Sequence, residues 1–398
     1  MKKTPFSYRI PLLNNTLTEE NAQTAINCIT HTEQHVGATD RLHGVIEHTW
    51  DTAFAASFMG GRASLYAIVQ ALGLQPGDQV LVPAFTCQCV TNAFSFNGVE
   101  IVFVDIELDT FGMAADALKK AITPRSKALL IQYTFGLVCR DIDVLLETAK
   151  DNQLWIIEDC AHATGGTYRS QALGTLGDIA FFSSERSKIV NTIQGGWVMT
   201  NHRQLGESLM NVYMQTPLPP TEYINNLLYT VYRCWKDAPQ SKQATTAAWL
   251  EQAENLTGYQ PVPQMMTAEL SGLFTAQYRW RMPDRVSQLL LQQLQQLPAI
   301  IRKRSEGAAY WSQWADEHNI RRAYNIDNAN STWLRFPILV DTDHKRNPKT
   351  LADDLNCDIG VWFTTPMHPQ PLELPHCPNG MYAAQHCVNL PTWLPDPV

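Results

Sequence analysis

Long hydrophobic runs are missing from this chain of 398 residues. No stretch approaches the roughly 20 consecutive apolar residues that a bilayer-spanning helix needs, so no membrane span is expected. Basic charge is also scarce: 30 Lys plus Arg stand against 38 Asp plus Glu, for a net charge of -8 and a pI near 5.8. That balance gives no electrostatic footprint for a polyanion and argues against nucleic acid as a partner. A disulfide framework is lacking too. Nine cysteines, an odd number, are scattered from Cys28 to Cys387, as suits reduced thiols in the cytoplasm. The opening MKKTPFSYRIPLL has two lysines but no apolar stretch of signal-peptide length, so no secretory leader is expected. Internal repeats and low-complexity tracts are absent, although LLLQQLQQL is biased towards Gln.

What is present is enough apolar material, 45% of the chain, for two or three packed units. From about residue 61 to 201, strand-like runs alternate with helix-like segments: QVLVPAF, EIVFVDI, ALLIQYTFG, LWIIEDC, IAFFSS and GWVMTN. Runs apolar on both faces predict an α/β fold, a mostly parallel sheet covered by helices. GGRASLYAIVQALGLQPGD reads as a helix, with Ala63, Leu65, Ala67, Ile68 and Leu72 inward and Gly73, Pro76 and Gly77 marking its end. Residues 202–262 break the rhythm and read as an insertion or crossover, in which YINNLLYTVYRCW is an amphipathic core or interface helix. A long helical segment is expected from about Met266 to Trp314. The remainder reads as a smaller C-terminal α+β unit: strand WLRFPILV, a helix near TLADDLNC, strand GVWFTT and helix GMYAAQHCV. Two domains are expected, a large one over 1–265 that includes the 202–262 insertion, and a second over 266–398.

In an open parallel sheet, ligands bind beyond the carboxyl ends of the strands. GGRAS, AFTCQC, EDCAH and SSERSK all fall there. Gly60 and Gly61 precede a helix whose first amides are unpaired, a seat for a phosphate. Asp159 ends a buried strand, where a carboxylate is costly unless it meets a cation. Lys188 follows the next strand, where a nearly buried amine can act as a nucleophile towards an aldehyde. Cys87 and Cys89 form a C-x-C, but without a second pair they do not read as a metal site. The doublets His376-Cys377 and His386-Cys387 read as packing and surface. A phosphate seat, an acid at one strand end, and Ser183 with Lys188 at the next are the parts that pyridoxal phosphate requires.

With these motifs the chain resembles the DegT/DnrJ-type sugar aminotransferases, among the fold-type I pyridoxal-phosphate enzymes. LGLQPGDQVLVPAFTCQCVTNAFSFNGVEIVFVDIELDTFGM is similar to the family's stretch from first helix to second strand, and AITPRSKALLIQYTFG to its next strand. WIIEDCAHATGGTYRSQALGTLGDIAFFSSERSKIVNTIQGGWVMTN resembles its cofactor core. The likeness extends to IPLLNNTLTEE, MTAELSGLFTAQY, IGVWFTTPMHPQPL and CPNGMYAAQHCVNLPTW, nearly the whole chain apart from 202–262.

The resemblance implies a fold-type I aminotransferase architecture with a smaller C-terminal domain. It places Lys188 on the Schiff-base lysine, Asp159 on the partner of the ring nitrogen, Ser183 on a phosphate-binding serine, and Gly61 and Arg62 on the phosphate-binding turn. His162 stands where Gln is usual, near the phenolic oxygen, and an imidazole there is expected to carry a pH-dependent charge. Cys87 stands where an aromatic residue commonly stacks on the cofactor ring. VPQMMTAEL stands where an Asn and an Arg usually serve the neighbouring subunit's site. The chain stops at LPDPV, earlier than the resemblance leads one to expect, so the last helix is expected to be missing. The implied activity is transfer of an amino group from an amino acid, glutamate first, to a keto sugar linked to a nucleotide, in a homodimer. Two alternatives stand beside it: a non-catalytic or regulatory member of the same fold, and a sugar dehydratase, although related dehydratases carry His at the position of Lys188.

Overall fold

All six apolar runs become strands of one sheet, joined by a seventh strand that the pattern did not single out. In the computed structural model, which describes residues 6, 8–13, 16–238, 241, 248–256, 258–263 and 265–395, these are β1 (Phe54–Phe58), β2 (Gln79–Pro83), β3 (Glu100–Val104), β4 (Ser126–Gln132), β5 (Trp155–Asp159), β6 (Ile179–Ser183) and β7 (Gly196–Thr200). Their spatial order is β1-β7-β6-β5-β4-β2-β3. Only β7 runs against its neighbours, pairing antiparallel with both β1 and β6. The other pairings are parallel. Most of KDAPQSKQATT, position 264 of VPQMMTAEL and the last three residues of LPDPV lie outside the described residues.

Burial on both faces explains why the strands read as continuous apolar runs rather than alternating ones. Every residue of β2, β6 and β7 is buried. One face, with Val80, Val82, Leu130, Ile157, Phe181 and Val198, packs against the helices Gly61–Ala71, Gln88–Ser95 and Arg203–Gln215. The opposite face, with Leu81, Leu129, Ile156, Phe182 and Trp197, packs against Glu19–Thr30, Ala38–Trp50, Ile142–Asp151, Thr221–Lys236 and the start of the long helix Asp284–Glu317. Phe182 and Trp197 stack there with ring centroids 4.7 Å apart and planes 1° from parallel. Within 202–262, the helices Arg203–Gln215, Thr221–Lys236 and Ala248–Glu254 are formed.

The C-terminal unit pairs Arg335–Leu339 antiparallel with Cys387–Pro391 and adds the helix Pro378–His386. Trp311 and Trp314 of the long helix enter its core, and the Trp311 indole N–H donates to the Pro391 carbonyl at 2.7 Å. Three local expectations are corrected here. The helix expected from Met266 is one turn only, Thr267–Leu270, because Gly272 adopts φ 72° and ends it, and the regular helix begins after Pro283. The helix expected to run through Val388 stops at His386, and Cys387 opens the strand. GVWFTT forms no strand; the carbonyls of Val361 and Phe363 are instead drawn inward to the buried ammonium of Lys345. Among the described residues, no helix is long and apolar enough to cross a membrane.

Candidate cofactor site

The parallel strands end at one edge, and a cavity opens there with about 880 Å³ of empty space, its mouth included, a size that suits a cofactor or small ligand. All seven residues singled out from the sequence line it: Gly61, Arg62, Cys87, Asp159, His162, Ser183 and Lys188. Asp159 is the last residue of β5 and Ser183 the last of β6. Gly61 opens the helix that follows β1. Topology alone therefore gathers residues more than a hundred positions apart in the chain.

Asp159 is 5% exposed. Among the described residues its carboxylate accepts one hydrogen bond, from the Ala161 amide at 3.0 Å. Burial pushes this carboxyl up to about 6, against the opposing pull of the Ala161 amide and the Lys188 charge. Lys188 lines the same cavity, and no hydrogen bond or ion pair among the described residues occupies its amine. Its neighbourhood is otherwise fixed by its amide, which donates to the Glu185 carbonyl at 2.9 Å.

His162 departs from the pH-dependent charge expected of it. Burial pushes its pKa well below the ordinary range, and the charges of Lys188 and Arg335 push the same way. The imidazole is therefore neutral. Its Nδ1 accepts from the Phe135 amide at 3.1 Å, which assigns the hydrogen to Nε2.

The anion seat is the start of the Gly61–Ala71 helix. Ser64 is the first residue whose amide has an intrahelical partner, the Gly60 carbonyl at 2.9 Å, so the amides before it are available. A Cβ on Gly61 would lie 3.1 Å from that of Ser183; glycine here keeps helix start and serine hydroxyl in one cup. Arg62 reaches Glu185 at 3.2 Å and also pairs with the fully buried Glu269. Neither acid was found from the sequence. Glu185 sits in the quoted SSERSK, but nothing in its spacing distinguishes it from a solvated side chain, and Glu269 comes from a distant turn.

Cys87 is the N-terminal cap residue of the helix Gln88–Ser95. A hydrogen bond from Cys89 holds the Cys87 thiol below its ordinary pKa despite burial, and the charges of Lys188 and Arg62 act the same way; Cys89 is pushed well above. The sequence reading missed a wall formed by Trp362, Phe363 and His368. It arrives because Met367–His368 pairs in parallel with Thr86–Cys87. Trp362 and Phe363 lie in GVWFTT, expected to be a strand, and His368 in IGVWFTTPMHPQPL, noted only for its likeness to the family. No metal-binding cluster occurs among the described residues.

A cavity beyond the carboxyl ends of an open parallel sheet, lined by a lysine amine, a buried acid and a helix start, is an α/β arrangement that can receive an anionic group. The sequence profile of the DegT/DnrJ/EryC1/StrS aminotransferase family matches residues 16–222 and 247–395, and the chain belongs to that family. GDP-perosamine synthase of Escherichia coli O157:H7 is 32% identical over 180 residues, 45% of this chain and 49% of that protein. GDP-perosamine synthase of Caulobacter vibrioides is 39% identical over 149 residues, 37% of this chain and 40% of that protein. The matched part of the chain thus spans about half or less of these relatives' length. In three dimensions, NtdA of Bacillus subtilis, solved with bound cofactor PMP, has a TM-score of 0.70 at 18% identity, over 98% of this chain and 82% of that one.

Proposed function

We propose that this protein is a pyridoxal-phosphate-dependent aminotransferase that moves an amino group from an amino acid, glutamate first, to a nucleotide-linked keto sugar. The observation that carries this reading is that Asp159 and Lys188 meet in one cavity, from the end of β5 and from the loop after the neighbouring β6. The residues fit the cofactor on their own terms. Asp159 is a buried carboxylate with, among the described residues, a single amide donor, and a protonated ring nitrogen is the cation that such a site calls for. Family membership supports the same activity, and the names of the relatives support a nucleotide-linked sugar as acceptor.

Bound there, the cofactor supplies an aldehyde that condenses with amines and a ring that withdraws electrons from the bond to be broken. The chain supplies the rest. Lys188 Nζ would hold the cofactor at its aldehyde carbon and, when free of it, would move the proton at the donor's α-carbon. In the second half of the cycle the same Nζ returns a proton to the sugar carbon. Asp159 keeps the ring nitrogen protonated. Ser183 Oγ, the Gly61 and Arg62 amides and the Arg62 guanidinium hold the phosphate. His162 presents Nε2–H to the phenolic oxygen without adding charge. Cys87, Phe363 and Trp362 line the same cavity and would flank a ring held there.

We place the protein in the cytoplasm, where its nine cysteines would remain reduced thiols. A homodimer is supported by the apolar exposure of Met266, Leu273 and Phe274, and sedimentation would measure it. The deciding experiment for the activity combines two readings. Purified protein should show the visible absorbance of bound cofactor, lost in Lys188→Ala, and should move nitrogen from glutamate to a member of a panel of nucleotide-linked keto sugars. A colourless protein that takes up no added cofactor would favour a non-catalytic member of the fold.

A further inference from the structure

The phosphate seat contains an acid of its own. Arg62 is 8% exposed, and both Glu185 and Glu269 pair with its guanidinium. The two acids are held differently. Glu269 is 0% exposed and also accepts the Tyr278 hydroxyl at 2.6 Å, so it is a fixed part of the interior. Glu185 lines the cavity, its side chain 13% exposed, with its oxygens 3.2 and 3.4 Å from Arg62 Nη2. One of those oxygens lies 3.3 Å from where a Cβ on Gly60 would stand, beside the helix start. The Glu185 amide meanwhile donates to Ser183 Oγ at 3.3 Å. The carboxylate thus sits among the groups that would receive a phosphate.

We propose that Glu185 is a built-in counter-anion of this seat, which the cofactor's phosphate must displace from Arg62 in order to bind. The inference rests on the cofactor reading above. A phosphate carries roughly -1.5 to -2 charge near neutral pH. Added to two carboxylates around one guanidinium, it would leave the seat strongly over-filled with negative charge at distances where such repulsion is large. Glu269 has no room to leave. Glu185 opens onto the cavity and is the acid that can swing away. Seating the cofactor is then an exchange of one anion for another at Arg62, and part of the phosphate's attraction is spent in displacing Glu185. Removing the Glu185 charge should strengthen binding of a phosphorylated ring and leave an unphosphorylated one unchanged.

The test uses the full chain stripped of cofactor and titrated separately with pyridoxal phosphate and with pyridoxal, followed by absorbance, for the wild type, Glu185→Gln and Glu185→Ala. The expected result is that both variants bind pyridoxal phosphate about tenfold more tightly or better, while pyridoxal affinity stays within about twofold. Inorganic phosphate should also compete better against pyridoxal phosphate in the variants than in the wild type. Unchanged or weaker binding of pyridoxal phosphate, or an equal gain for both ligands, overturns the proposal while leaving the cofactor reading intact. A wild type that binds no pyridoxal phosphate brings down both. Glu185→Ala carries the test if Glu185→Gln fails to fold.

Discussion

Tyr133 donates its hydroxyl to Glu158 at 2.6 Å, and this bond separates two acids that are neighbours in sequence. Glu158 also accepts the amides of Gly174, Leu176 and Gly177 at 2.9, 2.7 and 2.7 Å. It is 0% exposed and faces away from the cavity that Asp159 lines. One acid thus ties β5 to the turn before β6, and the next is left for a ligand. Glu158→Ala would strand four donors, two of them fully buried, so it should destabilise the cofactor-free chain by about 3–5 kcal/mol. Asp159→Asn should cost little stability. Urea unfolding of the two variants side by side measures the contrast, and equal losses would contradict this division of roles.

Asp159 gives the cofactor-free protein a definite pH dependence. Its folded pKa, about 6, lies above its ordinary 3.8. The folded state therefore holds the proton more tightly. The stabilisation is fully present below about pH 4 and is lost as pH rises through 6, a swing on the order of 3 kcal/mol. In Asp159→Asn that component should vanish. Stability measured at several pH values between 4 and 7 for both chains isolates it, and a swing that survives the substitution would assign it to other groups.

How much of this was legible beforehand follows from what each part depends on. The sheet strands could be read because burial on both faces leaves an uninterrupted apolar run, and Asp159 and Lys188 because strand ends are where a parallel sheet places its chemistry. β1 was not read. Its sequence FAASF carries two alanines, which have weak strand preference, and it is held by pairing with the reversed β7. The cavity wall at Trp362 and Phe363 was misread as a strand because its conformation is set by Lys345, which is far from it in local pattern. Glu185 and Glu269 were invisible for a similar reason: their importance comes from Arg62, reached only through the fold. Local periodicity records which face of an element is buried, but not which distant cation a carboxylate will meet.

His162 should contribute no ionisation near neutral pH. Burial and the nearby charges of Lys188 and Arg335 hold it well below its ordinary pKa, and the Phe135 amide fixes its tautomer. Gln offers a neutral donor of similar reach. His162→Gln should therefore keep cofactor affinity within about tenfold, with a pH profile between about 6 and 8 parallel to that of the wild type. His162→Ala should bind more weakly across the same range. A step in the wild-type profile that disappears in His162→Gln would show that the imidazole does become charged.

Lys345 carries the last prediction, because it joins stability to the site. Its ammonium is buried and donates to the carbonyls of Val361, Phe363 and Cys387, holding the backbone on both sides of Trp362. Burial lowers its pKa from 10.5 to about 8. The unfolded chain therefore binds the proton more tightly between those values. The cost of burying the charge is fully present below about pH 8 and is relieved as pH rises towards 10.5, an effect on the order of 3 kcal/mol. Thiols and phenols exposed by unfolding titrate in the same region, so the informative quantity is the difference between the wild type and Lys345→Met, which should shift in favour of the wild type as pH rises from 8 to 10. The same substitution leaves three carbonyls without their donor and loosens the wall at Trp362 and Phe363, which should weaken cofactor binding by about tenfold. A Lys345→Met chain that matched the wild type in both measurements would mean that the wall stands without its lysine.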